Sequence, residues 1–325
     1  MNATRRQIVR AALAWPAFGV AAAPAAPWPS RPVHLIVVYP PGGVSDAMAR
    51  TLAEPLAQAL GVPVVVENRG GAGGALGMEV LSRAAPDGCT LAFSAVSPLT
   101  LQPLLAGGPR DLLGSVVPVA GVMNTPVLVA GTPAFSGQSF ADLIAQARAH
   151  PGAVRWATSG IATSGHMVLA QTRLQSGVDI THVPYQGGGP QINDALGGQF
   201  EVLSTNVAAA QLQLLAAGRL KALAVGAPTR LEALPQVPTL AELGYPQANI
   251  GSLFGVFAPA GTPAAVVARL NAEVVRLLAS DAVASRLRES HNLPASGTQQ
   301  DFVQQIAAER RRNQVLVKRS GGLLD

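Results

Sequence analysis

The stretch Val33-His34-Leu35-Ile36-Val37-Val38-Tyr39-Pro40-Pro41-Gly42-Gly43-Val44-Ser45-Asp46 passes from a continuous apolar run, through a proline–glycine turn, into a helical pattern. A β-branched run without alternation is the pattern of a parallel strand buried on both faces. Beyond the turn, Ala47, Ala49, Leu52, Ala53, Leu56 and Leu60 recur at helical spacing, and Ser45 or Asp46 is placed to cap the first turn. The first turn of a helix carries unpaired N–H groups and a partial positive charge, so a strand–Gly–Gly–helix junction can hold an anion such as a carboxylate. Glycine there also simply turns the chain, and for one isolated junction that is the better reading.

Working outward, short apolar strands alternate with helical patterns, which predicts an α/β protein with mostly parallel sheets. Strands are expected at 33–38, 64–67, 90–94, 116–122, 127–130, 154–157, 181–183, 220–225 and 251–258. Helices are expected at 46–60, 75–85, 139–149, 164–175, 208–217, 263–279 and 299–317. The apolar runs around Met123-Asn124-Thr125-Pro126 and from Gly251 to Pro259 could carry the chain between two lobes. Strand-to-helix turns of both lobes would then face one cleft, where open α/β sheets bind ligands.

Four further segments repeat the opening device. Asn68-Arg69-Gly70-Gly71-Ala72-Gly73-Gly74 lacks the G-x-G-x-x-G spacing of a dinucleotide fingerprint, which favours close packing of the loop with Asn68 as a neighbour of the site. Thr158-Ser159-Gly160-Ile161-Ala162-Thr163-Ser164 offers hydroxyls beside a helix start, suited to carboxylate oxygens or to plain capping. His166, in that helix's first turn, is expected to be a neutral, packed imidazole. Tyr185, before Gln186-Gly187, could lay its ring along a ligand. Ser204-Thr205-Asn206 is small and polar, and helix capping competes evenly with a ligand contact.

The first 25 residues read as an export signal rather than as fold. Arg5, Arg6 and Arg10 precede the apolar run Ala11–Ala23, and Ala23-Pro24-Ala25 is a small-residue cleavage pattern. Thr4-Arg5-Arg6-Gln7 resembles a twin-arginine signal, while a general secretory signal needs no such motif. Loss of this leader removes three arginines and no acids, lowering the formal charge from +5 to +2. Two lysines and one arginine triplet, Arg310–Arg312, make no nucleic-acid footprint. The apolar run is too short to span a membrane, and no later segment does so. Cys89 reads as a buried small hydrophobe, and the five histidines show no ligand spacing, so neither metal nor cofactor is expected.

An exported serine hydrolase is the enzymatic alternative. Gly43-Val44-Ser45-Asp46-Ala47 misses the G-x-S-x-G elbow by its last glycine, and no base for Ser45 and no pair of carboxylates is evident. The residues suit holding a ligand rather than transforming it.

Taken together and in order, these motifs resemble one family, the substrate-binding (Bug) proteins of tripartite tricarboxylate transporters. The matching pieces include Tyr39–Asp46, Glu67–Gly74, Pro86-Asp87-Gly88, Gly160–His166, Val183-Pro184-Tyr185-Gln186-Gly187, Leu196-Gly197-Gly198-Gln199, Leu234–Thr239 and Ala258–Pro263, spanning nearly all of the chain after the leader. The resemblance implies a two-lobed, flytrap-like periplasmic binding protein with two hinge crossings, lobe 1 being 26–128 with 252–325 and lobe 2 being 129–251. It implies capture of a small mono- or dicarboxylate, or an aromatic carboxylate, and delivery by a monomer to inner-membrane permease subunits. A ligand-sensing subunit of a signalling system would look the same. By the same resemblance the ligand residues are Tyr39, Gly42, Gly43, Ser45 and Asp46 in lobe 1, and Thr158, Thr163, Ser164, Tyr185, Gly187 and Asn206 in lobe 2, with no arginine clamp. Tyr39 replaces the family's usual Phe, Thr205 replaces a common acidic residue, and Gly251–Gly255 lacks a common tryptophan. The loss of a negative charge at 205 favours a ligand with less need of a cationic group.

Overall fold

The computed structural model describes residues 28–105 and 111–320, so the export leader expected over residues 1–25 lies outside the described residues. In chain order the elements are β1 (Val33–Val37), α1 (Val44–Leu60), β2 (Val64–Asn68), α2 (Ala75–Ser82), β3 (Thr90–Ala95), a one-turn α3 (Ser97–Thr100), β4 (Val116–Gly131), α4 (Phe140–Ala149), β5 (Arg155–Thr158) and α5 (Ser164–Ser176). There follow β6 (Thr181–Pro184), α6 (Gly188–Leu196), β7 (Val202–Asn206), α7 (Ala209–Ala216), β8 (Lys221–Gly226), β9 (Gly251–Pro259), α8 (Ala264–Leu278), α9 (Asp281–Glu289), β10 (Leu293–Pro294) and α10 (Gln299–Ser320).

In lobe 1, β1 lies between β2 and β3 and runs parallel to both. In lobe 2, β5 is likewise parallel to β6 and β7. The crossing strands make each sheet mixed, because β9 joins β3 antiparallel and β4 joins β9, β7 and β8 antiparallel. The two expected strands around Met123–Pro126 are one 16-residue strand, β4. The Met123–Pro126 segment that joins them is paired with β9, Asn124 opposite Leu253 and Pro126 opposite Gly251, after register shifts near Pro118 and Gly121 that absorb local irregularity.

Each sheet is covered on both faces. In lobe 1, Met48, Leu52 and Leu56 of α1 pack with Val267 and Leu270 of α8 on one side. Met78 and Leu81 of α2 pack with Phe302 and Ile306 of α10 on the other. In lobe 2, α4 and α5 supply Phe140, Leu143 and Leu169 to one face, against Trp156 of β5. Ala195 of α6 lies with Phe200 and Leu203 on the opposite face. Burial on both faces is why β1 reads as an unbroken apolar run. Cys89 is buried and unpaired.

Three helices escaped the sequence pattern: the one-turn α3, α6 and α9. α6 opens on Gly188-Gly189-Pro190, which reads as loop, yet a first-turn proline costs no hydrogen bond because that N–H has no partner inside the helix. α9 buries only Val283 and Leu287, too few apolar positions to show a period. Ser204-Thr205-Asn206 belongs to β7, and Ala208 takes the N-cap of α7, so none of the three is a cap. No described helix is long and apolar enough to cross a membrane.

Candidate functional site

A narrow cavity of about 40 Å³ lies between the lobes, walled by the ends of strands and the starts of helices. Three helices begin at its edge. α1 contributes Gly43, Val44 and Ser45, α5 contributes Thr163 and Ser164, and α6 contributes Gly187 and Gly188. α1 and α6 enter from Gly43 and Gly187, and neither has a side-chain cap, so their first-turn amides keep their capacity to donate. α5 is capped by Thr163, whose hydroxyl accepts from His166 N at 3.3 Å and donates to Gly160 O at 2.8 Å. The hydroxyls of Ser45, Ser159, Ser164 and Thr205, all at the cavity, make no hydrogen bond among the described residues.

Among the described residues, the cavity wall contains no ionisable group other than the Tyr39 phenol. Burial pushes that phenol up to about 12, its hydroxyl end lying near Ser97, Ser94 and Ala95. The Tyr39 ring meets Phe254 edge-on at 6.4 Å, giving the cavity an apolar wall. Asn206 lines the cavity and donates to Ser252 Oγ at 2.7 Å, joining β7 of lobe 2 to the crossing strand β9.

Thus Tyr39, Gly43, Ser45, Thr163, Ser164, Gly187 and Asn206 are brought together at one cavity. The other four expected residues stand apart from its wall. Asp46 is turned to its own turn and helix, accepting from Arg50 Nε at 3.0 Å, Asn68 Nδ2 at 3.0 Å and Gly42 N at 3.1 Å. Burial opposes its ionisation, but those donors outweigh it and hold the carboxyl below its usual range. Gly42, with φ +84°, is the turn residue whose amide that carboxylate fixes. Thr158 is fully buried, its Oγ1 2.7 Å from His182 Nε2. Tyr185 puts its hydroxyl 2.7 Å from Asp194 and its ring edge-on to Phe200.

Beneath the turn after β5, His166 and His182 stack at 4.2 Å. Desolvation, then the charges on His182 and Arg173, hold His166 down to about 3. Desolvation and Arg173 hold His182 down to about 4. Neutral His166 accepts the Ala162 amide on Nδ1 at 3.1 Å, which fixes Ala162 at φ +57°, a conformation costly for a residue with a Cβ. Sequence reasoning did not single out Ser97, Gln211 and Ser252, which line the cavity from the start of α3, from α7 and from β9. None belongs to a glycine turn, the only local signal available.

Two lobes joined by crossing strands, with a cleft bordered by helix starts, are the architecture of a solute-binding protein. The chain belongs to the tripartite tricarboxylate transporter family receptors, whose model matches residues 48–322. It is 37% identical to protein BugT of Bordetella pertussis over 299 residues, 91% of each chain. Among solved structures it is similar to one described as a periplasmic transporter, at 35% identity and TM-score 0.87 over 92% of this chain and all of that one. An R. palustris protein solved with adipate matches at 32% identity and TM-score 0.84, covering 90% and 98% of the two chains. MatC of Rhodopseudomonas palustris, with bound malate, matches at 29% identity and TM-score 0.83, covering 89% and 99%.

Proposed function

We propose that this chain is exported to the periplasm, captures a small carboxylate by closing its lobes on it, and delivers it as a monomer to the permease of a tripartite tricarboxylate transporter. The observation that carries the reading is the wall of the cavity. Three helix starts and several unpaired hydroxyls surround a space with no charged side chain, so an anion there meets amide dipoles and O–H donors alone. Malate and adipate in two solved relatives support the ligand class. The lack of a carboxylate in the wall disfavours amino acids, whose ammonium would go unpaired, and the lack of cations disfavours tricarboxylates.

The ligand set on this reading is Tyr39, Gly43, Ser45, Thr163, Ser164, Gly187 and Asn206, with Gly42, Asp46, Thr158 and Tyr185 shaping the walls behind them. Residues 26–128 with 252–325 and residues 129–251 move as the two lobes. A thermal-shift panel tests the reading. A bound acid at a hundred times its dissociation constant adds about 2.7 kcal/mol of stability. Shifts by amines or sugars, with none by carboxylates, overturn it. Recovery of permease subunits rather than a kinase with the ligand-loaded protein separates transport from sensing.

A further inference from the structure

The seam between the lobes is closed by glycines set against the Pro40-Pro41 turn. A Cβ built on Gly189 of α6 stands 2.9 Å from the Pro41 carbonyl oxygen, and one built on Gly187 stands 2.7 Å from Pro40 Cδ. A third contact runs the other way, a Cβ on Gly73 of lobe 1 standing 2.6 Å from Ile161 O of lobe 2. Carbon atoms do not approach neighbours this closely, so side chains at these positions would hold the lobes apart. Gly73 and Gly187 also have positive φ, at +59° and +133°, and are needed for backbone reasons alone. Gly189 is different. It lies inside α6 without a positive φ, where glycine is the poorer helix former than alanine. Local folding therefore gives no reason for glycine at 189, and the approach of Pro41 does.

We propose that Gly189 is a positioning residue for ligand capture, its missing side chain being what lets the start of α6 dock on the Pro40-Pro41 turn as the lobes close. This rests on the reading that the protein closes on its ligand. Gly189 touches no cavity wall; it acts through the seam that brings Gly187 and Gly188 to the cavity. The apolar cluster in which Leu101 and Leu316 of lobe 1 meet Met167 and Ala170 of α5 is a second contact the closed arrangement brings together.

The test separates closure from folding and from ligand chemistry. Spin labels at Glu54→Cys on α1 and Ala216→Cys on α7, both exposed, report the lobe separation by pulsed dipolar spectroscopy, and native Cys89 is buried. The pair spans the groove where Ala47 and Thr51 of α1 face Ala208 and Ala209 at the start of α7. Gly189→Ala is expected to melt, ligand-free, at or above the wild-type temperature, to shift the distribution to longer separations, and to weaken binding of malate or adipate about tenfold. Gly189→Val moves both readouts further. Gly197→Ala, at the other end of α6 with only ordinary contacts around its Cβ, leaves the separation unchanged. Wild-type separations in Gly189→Ala overturn the proposal whether or not affinity falls, and so does a lowered melting temperature with the separation unchanged. If neither acid binds the wild type, the ligand class fails while the label distances still decide the seam.

Discussion

The Asn68 side-chain amide donates to Asp46 Oδ1 and to the Tyr39 carbonyl, both at 3.0 Å. One residue at the end of β2 thereby holds both ends of the turn that presents Gly43 and Ser45 to the cavity. Asn68→Ala is expected to lower stability by about 1–3 kcal/mol, because it strips a donor from two part-buried acceptors. It should also weaken ligand binding, since the turn loses its brace. Urea unfolding and calorimetric titration check this, and an unchanged unfolding midpoint would falsify the bracing role.

Ser164 opens α5 at the cavity with a hydroxyl that bonds to no other described residue. Ser164→Ala should leave unfolding within about 0.5 kcal/mol of wild type. Affinity for a carboxylate should fall roughly tenfold or more, as a hydrogen bond to a charged group contributes about 1.5–3 kcal/mol. Equal affinity with equal stability places the ligand elsewhere in the cleft.

Gly43 has φ −89°, and a Cβ there meets no atom within 4 Å. Valine therefore fits the backbone and extends into open space at the mouth of α1. Gly43→Val is expected to fold normally and to abolish binding by filling a cavity of about 40 Å³. Retained binding in a well-folded variant sinks the assignment of this turn to the site.

The stacked His166 and His182 make stability depend on pH. Both are held below their unfolded value near 6.5, to about 3 and about 4, so between those limits the unfolded chain binds more protons than the folded one. Their contribution is complete above pH 6.5 and is lost as pH falls toward 3, at about 1.4 kcal/mol per pH unit for each proton taken up. Proton NMR should show neither imidazole titrating above pH 5. A midpoint near 6 for either ring contradicts the buried stack.

Much of the architecture was legible in local pattern. The unbroken run Val33–Val37 and the helical spacing after Val44 gave β1, α1 and the turn between them within a residue or two. What local pattern lacks is direction. Thr158 and Tyr185 sit at strand ends, where motif position points to a ligand, yet one side chain faces His182 and the other faces Asp194 and Phe200. Ser97, Gln211 and Ser252 meet at the cavity only because elements far apart in the chain are folded together. By position Asp46 suits a ligand contact or a cap, but it braces the turn through Gly42 N, a role set by side-chain geometry that sequence does not carry.

β4 and β9 pair from Val116↔Pro259 to Pro126↔Gly251, and β4 then continues into the sheet of lobe 2. Phe302 of α10 lies across this ribbon, within 3.2 Å of a Cβ built on Gly121 and 2.2 Å of one built on Gly255, two residues that face each other in the register. The lobes therefore have no free joint between them. Any swing must twist a hydrogen-bonded ribbon clamped under an aromatic ring, so the hinge behaves as a torsion spring. On the proposed closure, part of the binding free energy would go into twisting this ribbon.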